Sequence, residues 1–251
     1  MIVALINNKG GVAKTTSAVN LAAAWAHAGK KTLLIDLDPQ ASASLHLGFR
    51  VHEHATLWDS LRSGRLEPVA SNLGLLDLVP GSMALSRFDL EFGQQARPYH
   101  RLQSLLNSLT SDYQHIVMDC PPALSLLTGN ALVASDAYLV PVSPHYLAME
   151  GLLQLFRSTR QIQEEQACST RCLGILLTLV DRRNRLTGEV ADLLRQQYPD
   201  LVLKTEIKSN IRLSEASSFG QSIFEYDRRC AGAKLYRELM LEVESRCLVP
   251  V

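Results

Sequence analysis

The stretch Ile6-Asn7-Asn8-Lys9-Gly10-Gly11-Val12-Ala13-Lys14-Thr15-Thr16 decides how the rest of the chain is read. It follows an apolar run, Met1 to Ile6, with the continuity of a strand buried on both faces. It precedes Ser17 to Ala28, whose composition suits a helix. A strand, then a glycine-bearing loop with a lysine and a hydroxyl, then a helix is the arrangement a phosphate-binding loop requires. Backbone N–H groups of such a loop and of the following helix N-terminus converge on one point and favour an anion there. Lys14 is placed to reach the β- and γ-phosphates of a nucleotide, and the Thr15 hydroxyl to ligate Mg²⁺. A second lysine, Lys9, at the front of the loop is its unusual feature.

Working outward, Lys30 to Gln40 contains a second buried strand that ends in two acids, Asp36 and Asp38. Gly29 before it is a helix stop. Carboxylates at the carboxyl end of a strand fall where open α/β sheets place their ligands. Tyr113 to Pro122 is a third such run, and its apolar residues end in Asp119. That is the Walker B pattern, in which the acid binds Mg²⁺ directly or through water. Further strands are expected over 73–79, 137–142, 173–180 and 204–207. Helices are expected over 41–48, 56–63, 83–109 with a break near Arg97-Pro98, 130–134, 146–166, 186–198, 213–217 and 231–246. The alternation predicts an α/β fold: a doubly wound, mostly parallel sheet with helices on both faces. No linker or repeat divides the chain, so residues 1–251 read as one domain.

Composition narrows the function classes. The chain is 47% apolar and only 6% aromatic, so its core is mainly aliphatic. Its 25 basic and 25 acidic residues balance, so a nucleic-acid surface has to be a local patch. Five scattered cysteines point to reduced thiols in the cytoplasm. No run approaches the ~18 apolar residues of a membrane span, and no basic leader marks a signal peptide.

Lys9-Gly10-Gly11-Val12-Ala13-Lys14-Thr15-Thr16, Asp36-Leu37-Asp38-Pro39-Gln40 and Asp119-Cys120-Pro121-Pro122 together resemble the ParA/Soj partition ATPases, within the deviant-Walker group that also holds MinD. Asn210 to Ala216 and Gly232 to Tyr236 resemble the same family, so the likeness spans essentially the whole chain. The resemblance implies ATP and Mg²⁺ as cofactors and an ATP-driven sandwich homodimer. Lys9 would reach across to the partner's nucleotide and act with Lys14, while Asp38 orients the attacking water. Asp36 and Asp119 would lie with Thr15 near Mg²⁺. Pro122 and Asn210 would join residues 9–16 around the nucleotide. The resemblance further implies nonspecific DNA binding through Arg183 and Arg212, stimulation by a ParB-like partner, and a cytoplasmic, nucleoid-associated protein with weak intrinsic ATPase activity. Other basic residues, Arg182, Arg185, Lys204, Lys208, Arg228, Arg229, Lys234 and Arg237, could extend the patch.

Two positions depart from the family pattern. Ala13 stands where many members have glycine, which limits the loop's backbone freedom. Lys208-Ser209 stands where Pro-Arg is usual, near the adenine. No helix-turn-helix extension precedes the loop, as in the short form of the family. Two other classes compete. A membrane-positioned ATPase of the MinD kind needs a basic amphipathic C-terminal helix, and the segment from Glu242 to Val251, with two acids and a proline, is a poor match. A metabolic amidoligase or an iron-protein reductase shares the fold, but the cysteines lack a cluster-binding arrangement.

Overall fold

The computed structural model describes residues 1–107, 109 and 111–248. Among the described residues eight strands form one sheet: β1 (Ile2–Leu5), β2 (Thr32–Asp36), β3 (Val69–Ala70), β4 (Leu76–Val79), β5 (His115–Asp119), β6 (Ala137–Val142), β7 (Arg171–Val180) and β8 (Val202–Lys208). Their spatial order is β3-β4-β2-β5-β1-β6-β7-β8. Every pairing is parallel except β3 with β4. The helices are α1 (Lys14–His27), α2 (Ser42–His46), α3 (Leu57–Ser63), α4 (Phe88–Phe92), α5 (Arg101–Leu106), α6 (Leu126–Ala134), α7 (Ala148–Gln166), α8 (Arg185–Gln197), α9 (Ile211–Ser218), α10 (Ile223–Tyr226) and α11 (Ala231–Leu248).

All residues of β2 and β6 are buried, because helices cover both faces of the sheet. Successive strand residues face opposite sides. Ala4, Leu33, Ile35 and Met118 therefore join the core under α5, α6 and α7. Val3, Leu5, Leu34 and Val117 join the other core, under α1 and α11. The α1–α11 contact is fastened by the Ser17 and Tyr236 hydroxyls, 3.3 Å apart, and by Trp25 Nε1 donating to Glu244 at 2.7 Å. With β1 central, α1 leaves on one face and α6, which follows β5, on the other. The crevice where such connections diverge, at the carboxyl ends of the strands, is where this architecture binds ligands.

The alternation read from the sequence is present, with differences at particular elements. The expected helix over 83–109 is broken into 3₁₀ turns and the short helices α4 and α5, since Gly93 and Pro98 interrupt it. The two-residue edge strand β3 and the single turn α10 are too short for periodicity to reveal. The helix expected at 130 begins at Leu126, capped by the Ser125 side chain. Ser108, in the expected helix, and residues 249–251, in the C-terminal segment weighed for membrane binding, lie outside the described residues. Among the described residues no helix is long and apolar enough to cross a membrane.

Candidate functional site: a phosphate loop over paired aspartates

The loop between β1 and α1 is held from below by side chains. Asn7 Nδ2 donates to the Pro141 carbonyl at 2.6 Å, and Asn7 Oδ1 accepts the Lys9 N–H at 2.9 Å. Thr178 Oγ1 donates to the Val12 carbonyl at 2.9 Å. Gly11, at φ 71°, and Ala13, at φ 54°, both adopt the left-handed conformation. Glycine does so freely; alanine there is strained by about 1–2 kcal/mol. Ala13 is the residue just before α1, so this conformation turns the chain into the helix. Lys14, the first residue of α1, is buried, with its ammonium 3.5 Å from the Asn7 carbonyl.

Beneath the loop lie the two acids that close their strands. Asp36 and Asp119 are register partners on adjacent β2 and β5, and both are fully buried. Their environments differ. Asp36 Oδ2 accepts the Ser44 N–H at 2.8 Å and the Ser44 hydroxyl at 2.7 Å, and Oδ1 accepts the Asp38 N–H at 3.1 Å. Burial nevertheless pushes its pKa up to about 6. Among the described residues, neither carboxylate oxygen of Asp119 has a hydrogen-bond partner of good geometry. Burial and then the Asp36 charge push its pKa up to about 8, against the nearby Thr15 hydroxyl and the Lys14 charge.

A buried carboxylate left without donors is costly, and a cation at this point would relieve it. The residues present fit Mg²⁺. Among the described residues no group of three or more His, Cys, Asp or Glu side chains is arranged as a metal cage. Mg²⁺ does not need one, because it is usually held by one or two carboxylates with phosphate oxygens and water. Asp119 and Thr15 are the side chains available to it. Asp36 is already engaged in holding α2 and the turn at Asp38.

Asp38 is buried at the rim, its Oδ1 accepting the Gln40 N–H at 2.9 Å. Gly81 packs behind it: a Cβ there would sit 2.9 Å from Asp36 Cγ, the Asp36 carbonyl and the Asp38 carbonyl. Pro121 is buried and Pro122 exposed after β5. Gly10 is exposed at the loop mouth and Thr16 partly buried. Thr16 also helps line a cavity of about 210 Å³ beside the loop, with Ala13, Leu179, Asn210, Ile211 and Tyr236. Asn210 Oδ1 caps α9 by accepting the Arg212 N–H at 2.9 Å. Leu179 stands in this wall at φ 53°, where β7 shifts register against β8.

The sequence-predicted arginines lie outside this group. Arg183, in the turn after β7, is bound side-on by Asp181, with contacts of 2.9 and 2.8 Å. Arg212, in the first turn of α9, pairs with Glu215 at 3.0 Å. The Arg183 guanidinium holds the Asp181 carboxyl down to about 2. Both pairs are solvated and would exchange readily for phosphate. Lys9 also stands apart from expectation: on the single chain its ammonium bonds the Leu147 carbonyl ahead of α7. Sequence reasoning missed Asn7, Ser44, Gly81, Thr178 and Leu179. A lone hydroxyl in the apolar run of β7 was the one available sign of Thr178; the others act through contacts distant in sequence.

A family model described as an AAA domain matches residues 1–171. The chain is similar to the chromosome partitioning protein ParA of Caulobacter vibrioides, 40% identical over 98% of this chain and 94% of that one. It is similar to the sporulation initiation inhibitor protein Soj of Bacillus subtilis, 39% identical over 96% of this chain and 97% of that one. It also resembles a solved cobyrinic acid a,c-diamide synthase of Mycobacterium smegmatis with a bound ATP analog and magnesium. That structure superposes with a TM-score of 0.78 at 30% identity, covering 95% of this chain and 92% of the other. Family likeness of this extent, on a site that carries the phosphate loop and the unpartnered Asp119, is decisive: the chain belongs to the ParA/Soj family of partition ATPases, whose cofactors are ATP and Mg²⁺.

Proposed function

We propose that the chain is a single-domain positioning ATPase that dimerises on ATP, binds DNA without sequence preference as the dimer, and is released by hydrolysis. The observation that carries this reading is the buried Lys14 beside the unpartnered Asp119, under a loop whose mouth holds a second lysine. Lys14 binds the β- and γ-phosphates with the N–H groups of residues 10–16. Asp119 and Thr15 hold Mg²⁺, which offsets phosphate charge. Asp38 orients the attacking water, and Asp36 keeps the Asp38 turn in place. Lys9 of one chain reaches the partner's nucleotide and stabilises charge that develops during transfer. Pro122 and Asn210 border the nucleotide, with Leu179 an apolar wall for the base.

Arg183 and Arg212 follow the adjacent strands β7 and β8 at the same edge of the sheet. Dimerisation would double this patch, so nonspecific DNA affinity is available at zero net charge, through counterion release from several phosphates. A ParB-like protein stimulates hydrolysis, and the protein works in the cytoplasm on the nucleoid. The chromosome-partitioning names of relatives support this reading.

The test is a gel shift on random linear DNA at low salt with ATP and Mg²⁺, paired with sedimentation. Arg212→Glu should weaken the DNA complex at least tenfold while leaving ATP-dependent dimers intact. Lys14→Ala should abolish ATP binding and the DNA complex together. Unaltered DNA affinity in Arg212→Glu would discard this surface, and unaltered nucleotide affinity in Lys14→Ala would discard the site.

A further inference from the structure

Lys9 is held on its own chain by a slot at the start of α7. Its ammonium donates to the Leu147 carbonyl, 138 residues away. That same carbonyl accepts the Gly151 N–H at 3.3 Å. The lysine reaches it because residue 151 has no side chain: a Cβ there would sit 2.8 Å from Lys9 Cε, 3.3 Å from Nζ and 3.5 Å from Cδ. The atoms nearest that Cβ position all belong to Lys9. Gly151 lies inside α7 and is not among the glycines with positive φ, so the backbone does not require glycine there. A glycine within a helix weakens it relative to alanine. What glycine provides at this point is room for the lysine.

The hold is reversible by construction. The ammonium sits beside a helix N-terminus, where the macrodipole opposes a cation. The neighbouring Tyr146 and Leu147 are 80% and 54% exposed, so the slot opens toward solvent. The Lys9 backbone is meanwhile fixed by Asn7, so the side chain can swing while the loop stays in place.

We propose that Gly151 is a positioning residue for Lys9. It opens a slot in which the lysine waits on its own chain, and from which it must withdraw before it can serve a nucleotide across a dimer interface. The second half of this statement rests on the dimer reading above. The slot itself does not. A chain without a partner thereby keeps its front lysine away from its own phosphates, and dimer formation has to break a hydrogen bond that the free chain makes.

Gly151→Ala tests this. The displaced atoms are the end of a flexible side chain, and alanine favours the helix, so the variant should fold. The first readout is acetylation of Lys9 by an activated acetate ester in the nucleotide-free chain, followed by peptide mass spectrometry, with exposed Lys234 as internal reference. Losing one net hydrogen bond should raise the Lys9 rate by about fivefold while Lys234 stays constant. The second readout is sedimentation velocity with ATP and Mg²⁺, where the dimer midpoint should move to lower protein concentration by a similar factor. An unchanged Lys9 acetylation rate overturns the slot. A faster rate with an unmoved dimer midpoint overturns the link between withdrawal and assembly. If the wild-type chain forms no ATP-dependent dimer while the acetylation rate rises, the slot stands and the dimer reading falls.

Discussion

Replacing Asp119 with asparagine should make the nucleotide-free protein less sensitive to rising pH. Asp119 is buried, faces Asp36 across the register, and has no hydrogen-bond partner of good geometry. Its folded pKa, pushed up to about 8, exceeds the ordinary carboxyl value. The folded chain therefore holds a proton that the unfolded chain has already released. Stability contributed by that proton is full below the unfolded pKa and is lost as pH rises toward 8. Between about pH 6.5 and 8 the linkage relation gives a loss of about 1.5 kcal/mol. The neighbouring Asp36, raised to about 6, has largely titrated before this window opens. Urea midpoints of the nucleotide-free wild type should fall across the window, and those of Asp119→Asn should stay nearly level. At the upper pH, ADP with Mg²⁺ should stabilise the wild type, by mass action on a site that supplies the carboxylate. It should do so much less in the variant. Equal slopes in the two proteins, or equal stabilisation by Mg²⁺, would refute the account of Asp119 as a buried carboxyl that keeps its proton until a cation replaces it.

Other consequences concern the backbone and the acid limb. Gly81→Ala places a Cβ 2.9 Å from Asp36 Cγ and from two carbonyls, so the urea midpoint should drop by the equivalent of about 1–3 kcal/mol. Ala13→Gly relieves an alanine held at φ 54°, and thermal melting should show a gain of up to about 1 kcal/mol once the entropy of glycine in the unfolded chain is subtracted. A loss of stability there would mean that Ala13 makes a contact worth more than its strain. His46 is buried with Nε2 unpartnered, and burial lowers its pKa to about 4. Its contribution is full above the unfolded pKa near 6.5 and is lost as pH falls toward 4, so denaturation midpoints of His46→Gln should lose less between about pH 6.5 and 5, by about 1.5 kcal/mol.

Much of this site could be read from local sequence. Residues 9–16, Asp36, Asp38 and Asp119 each stand at the carboxyl end of a continuous apolar run, and such runs are legible because a strand covered on both faces tolerates almost nothing polar. Once the runs were placed, the sheet had to bring the acids under the loop. The break expected near Arg97-Pro98 is present, but residues 83–109 are divided further, into 3₁₀ turns and two short helices with Gly93 between them, and apolar spacing alone does not show that division.

Sequence by itself therefore determined the fold class, the phosphate loop and the acids beneath it, since each depends on residues adjacent in the chain. Tertiary structure alone decided how those groups are disposed. It left Asp119 without a hydrogen bond of good geometry and gave Asp36 to Ser44. It paired Arg183 and Arg212 with nearby acids. It turned Ala13 into the left-handed conformation and laid Lys9 against Gly151. Hydrogen-bond satisfaction, burial and steric room depend on which distant segments meet, and periodicity along a chain carries no record of those meetings.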